Sequence, residues 1–149
     1  MAGASIATKS MSVRSFLDTN VLVYTDDLSA PAKHRRALDL FAEHRSAGTG
    51  VVSVQVLQEY FVTVTRKLQL DPALAQRKTR LLADFHVVVP DAGDVLAAID
   101  LHRLHGFSFW DALVIHSAKQ AGCRVLLTED LQHGREIDGL LIVNPFRSA

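Results

Sequence analysis

A single cysteine, Cys123, stands among 149 residues, so no disulfide can close within the chain and a reducing compartment is favoured. No run of about 18 apolar residues occurs, and no membrane-spanning helix is expected. The opening stretch from Met1 to Arg14 lacks the apolar core of a secretory signal, which points to a cytoplasmic protein. Excess charge is missing too: Lys plus Arg is 16, Asp plus Glu is 16, and the formal net charge is zero. That excludes a strongly basic nucleic-acid coater. Any contact with nucleic acid has to come from a local groove or a bound cation. There is no phosphate-binding loop, no GxGxxG fingerprint and no HExxH spacing among the 7 histidines, so nucleotide-cofactor and zinc-hydrolase readings lose support. His102 and His105 are only a weak pair. Cys123 has no partnered histidine motif that would make it a nucleophile.

What is present is ordinary globular material, 48% hydrophobic and 21% charged. A chain of this length buries about 68–70% of its unfolded surface and forms a core without staples. Residues 1–13 are small and polar and are expected to be a flexible leader; 14–149 are expected to be one domain. Short apolar runs alternate with helical patterns. Strands are expected at 15–17, 51–53, 87–89, 124–127 and 140–143. Helices are expected from Thr19 to about Thr25, from Pro31 to about Arg45, over 54–68, after Asp71-Pro72, between Asp91 and Gly106, and between Ser108 and Gly122. In the third of these, Val54, Leu57, Phe61, Val64 and Leu68 recur at spacings of 3, 4, 3 and 4, an apolar stripe. Strands separated by helices give an α/β fold with a mainly parallel central sheet of about five strands, both faces covered by helices.

Four acids occupy informative places. Asp18 ends the first strand, and Asp130 follows the fourth after Thr128 and Glu129. Both belong at the carboxyl edge of the sheet, where open α/β folds bind ligands. A crossover helix runs antiparallel to its strands, so its N-terminus returns to that edge. Asp111 lies in the first turn after Ser108, and Glu59 in the second turn after Ser53. Carboxylates gathered on one rim repel one another, and a divalent cation removes that cost. Mg²⁺ and Mn²⁺ prefer such oxygen ligands, and they activate water and polarise phosphoryl groups. Each acid also has a plain alternative: Asp18 as a helix cap, Asp111 completing a capping-box-like Ser108-x-x-Asp111, Asp130 as a turn residue, and Glu59 as a solvated glutamate off the apolar stripe. Thr19, Asn20 and Thr128 are polar neighbours placed to orient a carboxylate, or to serve local caps and turns.

These segments carry a resemblance. Phe16-Leu17-Asp18-Thr19-Asn20-Val21-Leu22-Val23-Tyr24 resembles the opening motif of PIN-domain nucleases. Val52-Ser53-Val54-Gln55-Val56-Leu57-Gln58-Glu59-Tyr60 is similar to the segment bearing their glutamate. Ser108-Phe109-Trp110-Asp111-Ala112-Leu113-Val114 resembles their central acidic motif, and Val125-Leu126-Leu127-Thr128-Glu129-Asp130-Leu131 their last one. The single-domain size resembles the VapC toxin branch. The resemblance implies a PIN-like α/β/α sandwich and a Mg²⁺- or Mn²⁺-dependent endoribonuclease leaving a 5′-phosphate and a 3′-hydroxyl. It further implies a cognate antitoxin as partner and a homodimer. It assigns Asp18, Glu59, Asp111 and Asp130 to the acidic cluster, with Asp18, Asp111 and Asp130 on the metal and Asn20, Thr19 and Thr128 in support. Glu129 adjoins Asp130, and Asp130 is the preferred register.

Two rivals come from other classes: a non-catalytic PIN-fold module binding RNA or protein, and a metal phosphatase on a related scaffold. The second lacks its D-x-D motif, since Thr19-Asn20 follow Asp18. The basic clusters Lys33-His34-Arg35-Arg36 and Arg77-Lys78-x-Arg80 read as solvated helix faces more readily than as RNA tracks. Trp110 and Tyr60 are expected in the core rather than stacked on a base.

Overall fold

The computed structural model describes residues 13–147, so the expected leader lies outside the described residues except for Val13. A six-stranded sheet forms the centre. Its strands are β1 (Ser15–Leu17), β2 (Gly50–Ser53), β3 (His86–Val88), β4 (Val125–Leu127), β5 (Glu136–Ile137) and β6 (Leu140–Val143). Their order is β3-β2-β1-β4-β6-β5. All neighbours run parallel except β5 and β6. The helices are α1 (Thr19–Val23), α2 (Pro31–Ala47), α3 (Val54–Arg66), α4 (Pro72–Leu82), α5 (Ala92–His105) and α6 (Phe109–Gln120). The expected α/β sandwich is therefore present.

One strand was not expected. Glu136–Ile137 pairs antiparallel with Leu140 and Leu141 through a two-residue turn. Asp138 and Gly139 both take positive φ, 49° and 85°, as a tight hairpin of this kind requires.

β1 and β2 are buried along their whole length, as strands covered on both faces should be. Gly50 opens β2 under the Phe85 ring: a Cβ there would lie 2.5 Å from that ring. The helices start on recognisable caps. Ser53 Oγ accepts the Val56 N–H at 3.3 Å, and Ser108 Oγ accepts that of Asp111 at 3.1 Å. Asp91 and Asp94 form a reciprocal capping box on α5. Left-handed Gly48 and Gly106 end α2 and α5.

One expectation about packing is corrected. In α3 the buried residues are Gln55, Val56, Tyr60 and Val64, while Phe61 is exposed, so the inward face is rotated from the expected stripe. In α5 the buried residues are Asp94 and Ala98, while Leu96 and Leu104 stand 64% and 77% exposed. No described helix is long and apolar enough to cross a membrane.

Candidate active site

The site grows from the carboxyl edge of β1 and β4. Leu17 and Leu127 are in register, and the Asp18 N–H donates to the Leu127 carbonyl at 3.0 Å. This backbone link sets Asp18 beside Thr128. Asp18 is buried at 6% exposure and caps α1, its Oδ1 accepting the Thr19 N–H at 2.8 Å. Its Oδ2 accepts the Thr128 hydroxyl at 2.9 Å and the Asn20 amide at 3.4 Å. Capping and membership of the cluster are thus the same placement.

Asn20 is the hub. Its Nδ2 also donates to Thr128 Oγ1 at 3.1 Å and to Asp130 Oδ2 at 2.9 Å, while its Oδ1 accepts the Glu129 N–H at 3.2 Å. The Asp130 N–H donates to Thr128 Oγ1 at 3.2 Å. Glu59 enters from the other side, on α3. Its Oε2 accepts the Thr19 hydroxyl at 2.8 Å, and its Oε1 accepts the Gln55 amide at 2.7 Å. The rotated face of α3 makes this possible, because Gln55 and Glu59 lie one turn apart on its site side. Gln55 Oε1 is left buried without a partner among the described residues.

Six of the seven residues expected from sequence therefore join one hydrogen-bonded set. Asp111 is the exception. It sits half-buried in the first turn of α6, and its N–H donates to Ser108 without the carboxylate returning the bond. The capping box is half-formed, so among the described residues the Asp111 carboxylate is not consumed by a hydrogen bond or an ion pair. Glu129 takes a different part. It accepts the Tyr24 hydroxyl at 2.6 Å and pairs with Lys33 Nζ at 2.9 Å. Sequence reasoning placed Tyr24 only within the opening motif and read Lys33 as part of a solvated helix face. The bond to Glu129 holds Lys33 more basic than usual, and burial, aided by that carboxylate, raises the Tyr24 phenol.

Burial pushes the Asp18 carboxyl from its ordinary 3.8 up to about 6. The hydrogen bonds from Thr128 and Thr19 oppose the shift, and the negative charges of Asp130 and Glu59 add to it. Among the described residues, none of Asp18, Glu59, Asp111 and Asp130 has a cationic side-chain partner. No three of the described His, Cys, Asp and Glu residues are already arranged as an ion site. The donor set, hard carboxylate oxygen without a counter-charge, nevertheless fits Mg²⁺ or Mn²⁺ in kind.

Other expected features resolve readily. Tyr60 is core, 1% exposed, with its hydroxyl on Asp26 at 2.6 Å. Trp110 is 61% exposed, which overturns its expected core placement; it packs edge-on against Phe109. Lys33 and Lys78 are not merely solvated, since they pair with Glu129 and Asp26. Cys123 is buried, and burial pushes its thiol up to about 11, the opposite of nucleophile activation.

A family profile described as PIN domain matches residues 15–137. No curated protein sequence matches the chain. Among solved structures, Mycobacterium tuberculosis VapC20, described as a sarcin–ricin loop cleaving toxin, is 22% identical at a TM-score of 0.64, covering 78% of this chain and 91% of its own. A toxin–antitoxin complex from Klebsiella pneumoniae is 20% identical at 0.64, covering 88% and 97%. PAE2754 from Pyrobaculum aerophilum is 22% identical at 0.59, covering 89% and 91%. At these identities the likeness is one of fold.

Proposed function

The chain belongs to the PIN domain family, and on that premise we propose that it is a divalent-metal-dependent endoribonuclease, the toxin of a toxin–antitoxin pair. The observation that carries the reading is the convergence of Asp18, Glu59 and Asp130, far apart in sequence, on one polar network without a cation to balance them. The fold neighbours support the toxin part, one being described as a sarcin–ricin loop cleaving toxin and another as a toxin–antitoxin complex.

In this reading Asp18, Asp111 and Asp130 hold Mg²⁺ or Mn²⁺, and Glu59 completes the acidic wall. The chemistry such an ion would supply there is relief of the carboxylate repulsion and polarisation of a phosphodiester toward water, and the products this reading implies carry a 5′-phosphate and a 3′-hydroxyl. Thr128 and Asn20 hold the Asp18 and Asp130 oxygens in fixed directions. Thr19 and Gln55 do the same for Glu59. A cognate antitoxin and a second copy of the chain are the partners of this reading, in the cytoplasm. The exposed apolar residues of α5 supply a surface for such contacts.

The test is cleavage of a panel of single-stranded and structured RNAs with Mg²⁺, Mn²⁺ or chelator. Cutting is expected only with the ion, and Asp18→Asn and Asp111→Asn are each expected to abolish it while the fold persists. Undiminished cutting by both variants overturns the mechanism. No cutting, together with no divalent-linked rise in melting temperature beyond a general salt effect, favours the binding-module alternative.

A further inference from the structure

Glu59, Glu129 and Asp130 line one part of a cleft of about 670 Å³, whose lining also includes Asp27 and, toward the distal end of α3, Lys67. Its floor follows one side of α3: Glu59, Thr63 and Lys67 recur every four residues, so they lie in a row along the helix. Eight residues of helix separate the Glu59 and Lys67 backbones by about 12 Å. Val23, Val62 and Leu68 give that distal end an apolar wall, and Val62 is 45% exposed.

Pairing distinguishes Lys67 from Lys33 and Lys78. Lys33 is committed to Glu129 and Lys78 to Asp26. Lys67, exposed at the end of α3, has no acidic partner among the described residues. A neutral chain with acids at its reacting end needs a local cation to hold a polyanion, and Lys67 is the lysine lining this cleft. We propose that the distal cleft is a nucleotide subsite for the RNA strand, with Lys67 Nζ on a backbone phosphate and the Val23, Val62 and Leu68 wall against the neighbouring base. This deepens the ribonuclease reading and rests on it. The plain alternative is that Lys67 only complements the C-terminal dipole of α3.

The experiment is fluorescence anisotropy of a short labelled single-stranded RNA of mixed sequence, in chelator, over a range of salt. Wild type, Lys67→Glu, Lys67→Arg and Arg77→Ala are compared; Arg77 is exposed on α4, outside the cleft. Lys67→Glu is expected to weaken binding about tenfold or more and to lower the slope of log affinity against log salt by about 0.7, one phosphate contact. Lys67→Arg is expected to restore both, and Arg77→Ala to change neither. With the ion present, Lys67→Glu is expected to raise KM more than it lowers kcat. A helix-dipole role alone changes the melting temperature and leaves the salt slope intact, which overturns the subsite. If wild type binds and cuts RNA while Lys67→Glu matches it, the subsite falls and the nuclease stands. If wild type neither binds nor cuts, both fall.

Discussion

Asn20 reaches across 110 residues of sequence to donate its amide to Asp130 at 2.9 Å. The same amide nitrogen contacts Thr128 and Asp18, so a single side chain sets the relative direction of two carboxylates. Asn20→Ala frees the Asp130 carboxylate and removes one contact from Asp18, which Thr19 and Thr128 still hold. A loss of about 10- to 100-fold in ion-dependent cleavage is expected, the usual effect of removing a residue that orients metal ligands. Circular dichroism is expected to show an intact fold. Cleavage at the wild-type rate rejects the orienting role.

The raised Asp18 pKa makes a pH prediction of definite sign. The native carboxyl titrates near 6 and the unfolded one near 3.8. Between those values the native state holds more protons, so this group's contribution to stability falls as pH rises from about 4 to about 6 and is level above that. In chelator, wild type is therefore expected to lose stability relative to Asp18→Asn across this window. At pH 7 the variant is expected to be the more stable by about 1–3 kcal/mol: keeping the buried carboxyl ionised costs the native state about 3 kcal/mol, and the neutral amide recovers part of it. Denaturant melts of both proteins at pH 4.5 and 7 check this. A difference independent of pH removes the argument.

Thr19 and Glu59 form the bridge between α1 and α3 at 2.8 Å. Thr19→Val keeps the shape and removes the donor. A double-mutant cycle with Glu59→Gln is expected to give a coupling of about 1 kcal/mol, as for a hydrogen bond to a charged acceptor that is partly wet. Zero coupling in denaturant melts means the bridge does not order Glu59.

Cys123, its thiol pushed up to about 11 and its side chain buried, is expected to resist an alkylating reagent at pH 8 in the native protein and to react once unfolded. Mass spectrometry before and after denaturation reads this directly. Rapid native labelling contradicts the burial argument.

The strands and helix starts were legible because Ser53, Asp91 and Ser108 cap where their residue types say they should. The gathering of Asp18, Glu59 and Asp130 was legible for a topological reason, since strand ends and returning helix starts share an edge, whereas Asp111 stays outside their hydrogen-bonded set. The phase of α3 was not. Val54, Val56, Leu57, Tyr60, Phe61, Val62 and Val64 leave no clean polar face on that helix, so spacing admits two rotations and only packing against its neighbours chooses one. That choice brings Glu59 to the site. On α5 the apolar residues are exposed for the converse reason: the buried Asp94 is occupied by the capping box and by His116 at 2.8 Å, and its face turns inward instead. The β5–β6 hairpin did leave a signal, the Asp138-Gly139 pair between Ile137 and Leu140, but its short strands carry too little pattern to be read alone. Lys33 and Lys78 bind acids 96 and 52 residues away, which no local pattern encodes.

Asp26 lies just beyond α1, 2% exposed at its side chain, with Tyr60 of α3 and Lys78 of α4 both bonded to it. Three elements, the end of α1, α3 and α4, are thereby tied at one buried carboxylate. The end of α1, the helix that bears Thr19 and Asn20, is bonded through Asp26 to α3, which bears Glu59. On the proposed ribonuclease reading, a slot tied in this way would favour strands that already match its width over strands it must close around.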